Sequence, residues 1–158
     1  MPDLKEIREA LKKNPDNPSA LKGAGKIFLA DHQYKQANNY YSQAVSLSSR
    51  LLPEIIIDYE TVIGKDPTGV GPHLSLVGFY LSQADTGSAV VELEEILETN
   101  PQCKEAYNLL GRIYIRREKI DEAIALLEQS IKEGIKDVVL AEILAGAYLE
   151  KGRIADAI

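Results

Sequence analysis

The chain of 158 residues carries a single cysteine, two histidines and no run of apolar residues long enough to span a bilayer. Each scarcity excludes something. Cys103 has no partner for an internal disulfide, so the fold does not depend on an oxidising compartment. His32 and His73 have no histidine four residues away, no cysteine partner and no nearby pair of acidic ligands, so metal-ligand spacing is lacking. His32 reads as a turn residue and His73 as a helix opener. Basic charge is also short: 18 Lys and Arg stand against 24 Asp and Glu, a net charge of -6. That field repels phosphate and argues against non-specific attachment to nucleic acid or an anionic membrane surface. No charged-then-apolar signal segment opens the chain, and a cytoplasmic location fits these features best. The glycine-rich stretch Thr68 to Pro72 lacks the Lys-Ser/Thr that completes a phosphate loop, and it reads as a turn before a helix. Nor does any spacing assemble a nucleophile, a base and an orienting group. No catalysis and no cofactor is expected.

What the chain does have is hydrophobic periodicity. With 45% hydrophobic and 27% charged residues it has the balance of a globular protein. Ala106, Leu109, Leu110, Ile113 and Tyr114 recur at helical spacing and give one apolar stripe. Asp121 and Glu122 open a second helix, where acidic side chains suit the positive end of the dipole. Ile120, Ala123, Ile124 and Leu127 form its stripe. Gly111 and Ala123 leave room where two such helices approach. Gly134 and the pair Asn100–Pro101 punctuate the helices. A hairpin of this size leaves one apolar face open, so neighbouring hairpins must stack.

The pattern then repeats. Tyr114 and Tyr148 are 34 residues apart, as are Gly111 and Ala145, Ile120 and Ile154, and Ala123 and Ala157. The same step upstream reaches Val77, Tyr80, Thr86 and Ala89. A further copy, Gly25, Phe28, Tyr34 and Ala37, lies 52 residues before its neighbour, so about 18 residues are inserted. The insertion, LLPEIIIDYETVIGKDPTG, reads as one helix from about Pro53 to Gly64, with Pro53 in its first turn. Its place in the stack stays open: it lengthens the preceding helix, packs across an edge, or bends the array. Ahead of the first copy, residues 3 to 13 form a short amphipathic helix with Leu4, Ile7 and Leu11 on one side, followed by NPDNP.

These residues resemble the tetratricopeptide repeat family, whose unit is a pair of antiparallel helices. The small residue, aromatic and alanine of that unit fall on Gly25–Phe28–Ala37, Tyr80–Ala89, Gly111–Tyr114–Ala123 and Ala145–Tyr148–Ala157. The larger residue of the second helix is Tyr41, Leu93 or Leu127, and a closing proline appears as Pro101. The family's first-helix tryptophan is replaced by Leu21, His73, Tyr107 and Ala141. The resemblance implies an all-α fold, a right-handed α-solenoid of antiparallel helix hairpins with one extra inserted helix. A capping helix would occupy residues 1–17, repeats 18–51, 70–103 and 104–137, the insertion 52–69, and a truncated repeat 138–158. The chain then reads as part of a longer repeat protein. Leu140, Leu144 and Tyr148 are expected to be left partly uncovered, and Tyr114 to be a buried core aromatic.

In this family the first helices of successive units line a concave groove. The groove positions fall on Lys22, Lys26 and Leu29, then Leu74, Gly78 and Leu81, then Asn108, Arg112, Ile115 and Arg116, and finally Glu142, Leu149 and Glu150. Arg112 and Arg116 lie one helical turn apart and suit a carboxylate of an extended partner. The carboxylate clamp of the chaperone-tail-binding branch is matched only in part. Lys22 fits its first lysine, but Lys26 stands in place of asparagine, and Ser75 and Leu109 occupy other clamp positions. The implied function is a scaffold that holds a protein or peptide, with an acidic segment as the preferred partner. The alternatives are a regulatory or targeting module of a larger enzyme, and self-association through the C-terminal repeat. Cys103, just before a helix N-terminus, would have its thiol pKa lowered if the helix dipole dominated; a small residue at a hairpin junction is the simpler reading.

Overall fold

The computed structural model describes residues 4–152, and every element in it is helical. In chain order these are α1 (Leu4–Lys13), α2 (Pro18–Ala30), α3 (Tyr34–Leu47), a 3-10 turn (Ser49–Leu51), α4 (Leu52–Ile63), α5 (Val70–Ser82), α6 (Thr86–Thr99), α7 (Lys104–Arg116), α8 (Ile120–Lys132) and α9 (Val138–Glu150). No strand occurs among the described residues. The side chain of Leu4, and the expected helix start marked by Ile154 and Ala157, lie outside the described residues. The chain divides between Asp85 and Thr86 into two compact units. That division falls inside the stretch 70–103.

In the first unit, local chemistry sets the helix ends. Asn17 caps α2 by accepting the Ala20 N–H at 3.1 Å, with Pro18 in the first turn where its missing N–H costs nothing. Pro53 sits in the first turn of α4, and Gly64 caps its end. His32 joins α2 to α3 at φ 58°, and Ala84 and Glu118 follow α5 and α7 at φ 58° and 59°. These three positions share one left-handed turn: Gln33 N–H reaches back to Phe28 O, Asp85 to Tyr80 O, and Lys119 to Tyr114 O. The backbone thus explains His32 without any ligand.

The core of this unit is aromatic. Tyr41 from α3, Tyr59 from α4 and Phe79 from α5 are fully buried, with ring centroids 5.5 to 6.1 Å apart. Gly25 makes room for that cluster, since a Cβ there would stand 2.5 Å from the Tyr41 ring. The inserted helix α4 is therefore a core element. Ile55 and Tyr59 have no exposure, and α4 packs against both α2 and α5. α4 is a helix separate from α3, so the insertion does not simply lengthen the preceding helix.

The second unit follows the repeat more simply. Tyr107, Ile124, Leu127, Leu140, Leu144, Ala147 and Tyr148 make its core, drawn from α7, α8 and α9. A Cβ on Gly111 would meet Leu127 Cδ2 at 3.2 Å, the close approach its small size anticipates. Gly134, at φ 82°, turns the chain after α8, and Ile135 N–H bonds Ser130 O at 3.0 Å. Two expectations need correction here. Leu140, Leu144 and Tyr148 are buried, at 4%, 8% and 8% exposure, because α7 and α8 already cover their side of α9. The open apolar positions of α9 are instead Val138, Val139 and Leu149, at 75%, 38% and 55%. Tyr114 is only half-buried, because its hydroxyl reaches outward to Glu94 Oε1 at 2.9 Å.

Candidate partner-binding surface

The first-unit groove positions do not form an open binding face. Lys22 is ion-paired with Glu54, and Lys26 with Asp58, both on α4. Both pairs join residues 32 apart, so two lysines one turn apart on α2 meet two acids one turn apart on α4. Asp58 has 3% exposure and also accepts the Tyr41 hydroxyl at 3.1 Å. Burial and the Asp58 charge together drive the Tyr41 phenol far above its ordinary pKa, so it stays protonated and donates. Leu29 has no exposure at all and belongs to the core, which removes it from any groove. The physical reason is α4, which lies against the face of α2 that a repeat position would leave open.

On α5 the predicted positions are also engaged. Gly78 faces α3, where its Cβ would meet Asn38 Nδ2 at 3.0 Å, and Leu74 and Leu81 are half-buried. Asn38 ties the same helices together. Its amide donates to Ser75 O at 2.8 Å, and its carbonyl oxygen accepts from Ser75 Oγ at 2.8 Å and from the Tyr59 hydroxyl. Ser75, a clamp position by family analogy, is thus a structural residue. What remains of the lysine face is a cleft of about 360 Å³ among α1, α2 and α4, lined by Ile7, Ser19 and Gly23 beside the paired Lys22 and Lys26.

The second unit differs. Arg112 and Arg116 are exposed on α7, and no carboxylate pairs with either among the described residues. Arg112 Nε donates to Asn108 Oδ1 at 2.7 Å, which steadies the guanidinium along the helix. Ile115 is half-buried beside them. α9 packs on α7, and the 34-residue step sets Glu142, Leu149 and Glu150 at the positions of Asn108, Ile115 and Arg116. All three are exposed. At this pair of helices Arg112, Arg116, Glu142, Leu149 and Glu150 are exposed, while Asn108 and Ile115 are half-buried.

Other reactive groups are quiet. Cys103 is buried and its thiol pKa is raised, by burial above all, so the helix dipole does not make it a reactive thiolate. His32 Nδ1 lies 2.8 Å from the Tyr34 hydroxyl, and His73 Nε2 lies 3.2 Å from Pro67 O. Among the described residues no three His, Cys, Asp or Glu side chains gather as metal ligands, and no helix is long and apolar enough to cross a membrane.

Comparison with known proteins agrees with the helical pairs. A family model for the tetratricopeptide repeat matches residues 80–137. No curated protein matches the chain in sequence. The fold is similar to the crystal structure of MamA, with 20% identity, a TM-score of 0.56, and coverage of 97% of this chain and 79% of that one. It is also similar to TTC0263, a thermophilic tetratricopeptide repeat protein in Thermus thermophilus, at 22% identity and a TM-score of 0.51, covering 98% and 75%. A third similar structure is YrrB, described as a tetratricopeptide repeat protein with an unusual peptide-binding site, at 14% identity and a TM-score of 0.53, covering 96% and 87%. The chain carries the all-α tetratricopeptide repeat fold, and residues 80–137 are repeat sequence of that family.

Proposed function

We propose that this tetratricopeptide repeat chain is a protein-interaction scaffold that holds a partner peptide against the exposed faces of α7 and α9. The observation that carries the reading is the pair Arg112 and Arg116, exposed, one turn apart, and without a carboxylate partner among the described residues. The basic residues of α2, by contrast, are already spent on Glu54 and Asp58. Two guanidiniums on one helix face take a carboxylate in bidentate fashion, which lysine cannot do. Ile115 and Leu149 offer apolar contact beside them, and Asn108 holds Arg112 in place. The preferred segment therefore bears Asp, Glu or a free C-terminal carboxylate. Glu142 and Glu150 set a limit on its length, since an acidic residue placed over α9 is repelled. An array of short peptides probed with wild type and with Arg112→Glu/Arg116→Glu at two salt concentrations tests this. Acidic peptides lose about tenfold or more in affinity in the double variant, most at low salt. Equal binding by both proteins, or a wild-type preference for basic peptides at this face, refutes the reading.

A second reading is favoured by Val138 and Leu149, exposed at 75% and 55% on α9. Two copies pairing through α9 would cover them. Sedimentation over a concentration series decides it, and a constant monomer mass rules it out.

A further inference from the structure

A cleft of about 430 Å³ opens within the second unit, among α6, α7 and α8, away from the arginine face of α7. Tyr107, Leu110 and Tyr114 line it from α7, whereas Asn108, Arg112, Ile115 and Arg116 point elsewhere. At about 100° per residue the two sets lie roughly 150° apart around the helix. The rim is acidic: Glu94 and Glu98 come from α6 and Glu133 from the end of α8, and no cation lines the cleft. None of the three is ion-paired among the described residues. Glu94 accepts the Tyr114 hydroxyl and Glu133 accepts the Gln129 amide, while Glu98 has no hydrogen-bond partner among the described residues.

Acidic side chains alone would be a solvated surface. The floor is what singles this cleft out. Tyr107 has 3% exposure, yet its hydroxyl has no hydrogen-bond partner among the described residues. No buried side-chain oxygen among those residues is both sealed from solvent and unpaired, so the hydroxyl reaches solvent, and the Glu133 charge acting on it comes from the rim of the same cleft. A hydroxyl with no protein partner, on a side chain otherwise buried, can exchange its water for a ligand donor. Burial, then the nearby Glu133 charge, raises its pKa, so the phenol stays neutral and can accept a hydrogen bond from a cation. The Lys119 ammonium, 5.8 Å from the Tyr114 ring centroid, pairs with Glu122 and does not line the cleft.

We propose that this cleft is a second docking site, taking an arginine side chain from a basic segment of a protein partner. The chemistry is complementary. The aliphatic stem of arginine lies on Leu110 and Leu126, its guanidinium spans Glu98 and Glu133, and one N–H is left for the Tyr107 hydroxyl. A planar donor fork suits three acceptors set around a rim better than a compact ammonium does. The chain then meets a partner with both signs of charge, on opposite sides of α7.

The test uses a fluorescent, acetylated and amidated nonapeptide with two arginines, against the same peptide with citrulline in their place. Citrulline keeps the shape and removes the charge. The arginine peptide binds, the citrulline peptide binds at least about tenfold more weakly, and Glu98→Gln/Glu133→Gln lowers arginine-peptide affinity by about tenfold. Tyr107→Phe, which keeps the ring and the packing, lowers it at least about twofold. Arg112→Glu/Arg116→Glu leaves it intact or strengthens it, which separates this site from the arginine face. No binding of the arginine peptide, equal binding of the citrulline peptide, or affinity unchanged in either cleft variant overturns the proposal.

Discussion

Replacing Gly25 by alanine tests the claim that the first unit is built around a fixed tyrosine. In an open helix the change would help, since alanine is favoured over glycine by about 1 kcal/mol. Here the new methyl would stand 2.5, 2.6 and 2.9 Å from three atoms of the Tyr41 ring. Distances under 3 Å cannot persist, so either the ring or α2 must move. Tyr41 has nowhere to go: it has no exposure, its hydroxyl is bonded to Asp58, and its ring packs against those of Tyr59 and Phe79. Overpacking of this kind costs about 1–3 kcal/mol, and more when a hydrogen bond is lost with it. The net effect is a loss of about 2 kcal/mol after the helix gain, or a urea midpoint lower by about 1 M. Two other glycines calibrate the reasoning. Gly111→Ala meets only the end of a leucine at 3.2 Å, which can rotate, so strain and helix gain nearly cancel. Gly146→Ala meets nothing within 4 Å and gains about 0.5–1 kcal/mol. Circular dichroism at several urea concentrations gives the order, and hydrogen exchange assigns the Gly25 loss to α2–α5. A Gly25→Ala midpoint at or above wild type would refute the packing argument.

Lys26→Met strands the Asp58 carboxylate, 3% exposed, with only the Tyr41 hydroxyl, and costs about 1–3 kcal/mol in the same urea assay. Lys22→Met costs under about 1 kcal/mol, because Glu54 is 57% exposed and water replaces the lysine; equal losses would contradict the burial. Glu118→Gly relieves a left-handed turn at φ 59° and raises stability by about 0.5–1 kcal/mol, measured by the shift in thermal midpoint; a fall would mean the Glu118 side chain is holding the turn. Asp137 caps α9 by accepting the Leu140 and Val139 N–H groups, and these bonds, with the Lys104 charge, hold its pKa below the ordinary value. A lowered folded pKa means the stabilisation is complete above about pH 4 and disappears as pH falls through the folded value. Exchange protection of α9 amides in wild type should therefore converge on that of Asp137→Ala in acid, and a constant difference down to about pH 2 would remove the carboxylate from the cap.

Much of the helical pattern was legible because caps and stripes are local. Pro53 and Gly64 bound α4 as expected, and the spacing of Gly111, Tyr114 and Ala123 placed α7 and α8. Side-chain fates depended on longer range. Tyr114 read as core from its repeat position, yet a hydroxyl bond to an acid 20 residues upstream holds it at the surface. Leu29 read as a groove residue because repeat position alone assumes that no further helix covers α2. A signal for the truth was present: KGAGK on α2 and EIIID on α4 carry opposite charges at the same spacing of four. Matching of that kind marks neighbours only when one already suspects the two helices touch, and hydrophobic periodicity cannot supply that suspicion. Tyr107 was equally hidden. It occupies the family's tryptophan position, and its burial was foreseeable, but a cleft that it lines together with Glu98 and Glu133 depends on three helices at once.

The inserted helix also bears on the proposed partner binding. A repeat array normally offers its first-helix side chains along the whole groove, so a charge pattern can be read along a partner segment. In the first unit α4 uses the lysine face for folding. Asp58 would be a costly buried charge without Lys26, and Lys26 without Asp58 would be one more exposed cation, so neither can serve a ligand without weakening the core. Stability and binding compete for the same residues there, and stability takes them. No such competition exists on α7. Its buried residues include Ala106, Leu110 and Ile113, while Arg112 and Arg116 are exposed and not ion-paired among the described residues. A residue free of structural duty can be altered at little cost to the fold, so the two arginines should behave in mutagenesis as binding residues do: a loss of partner affinity with an unchanged urea midpoint. Lys26 should show the reverse. If charge reversal at Arg112 and Arg116 unfolds the second unit, these side chains are structural after all, and the division of labour between α2 and α7 fails.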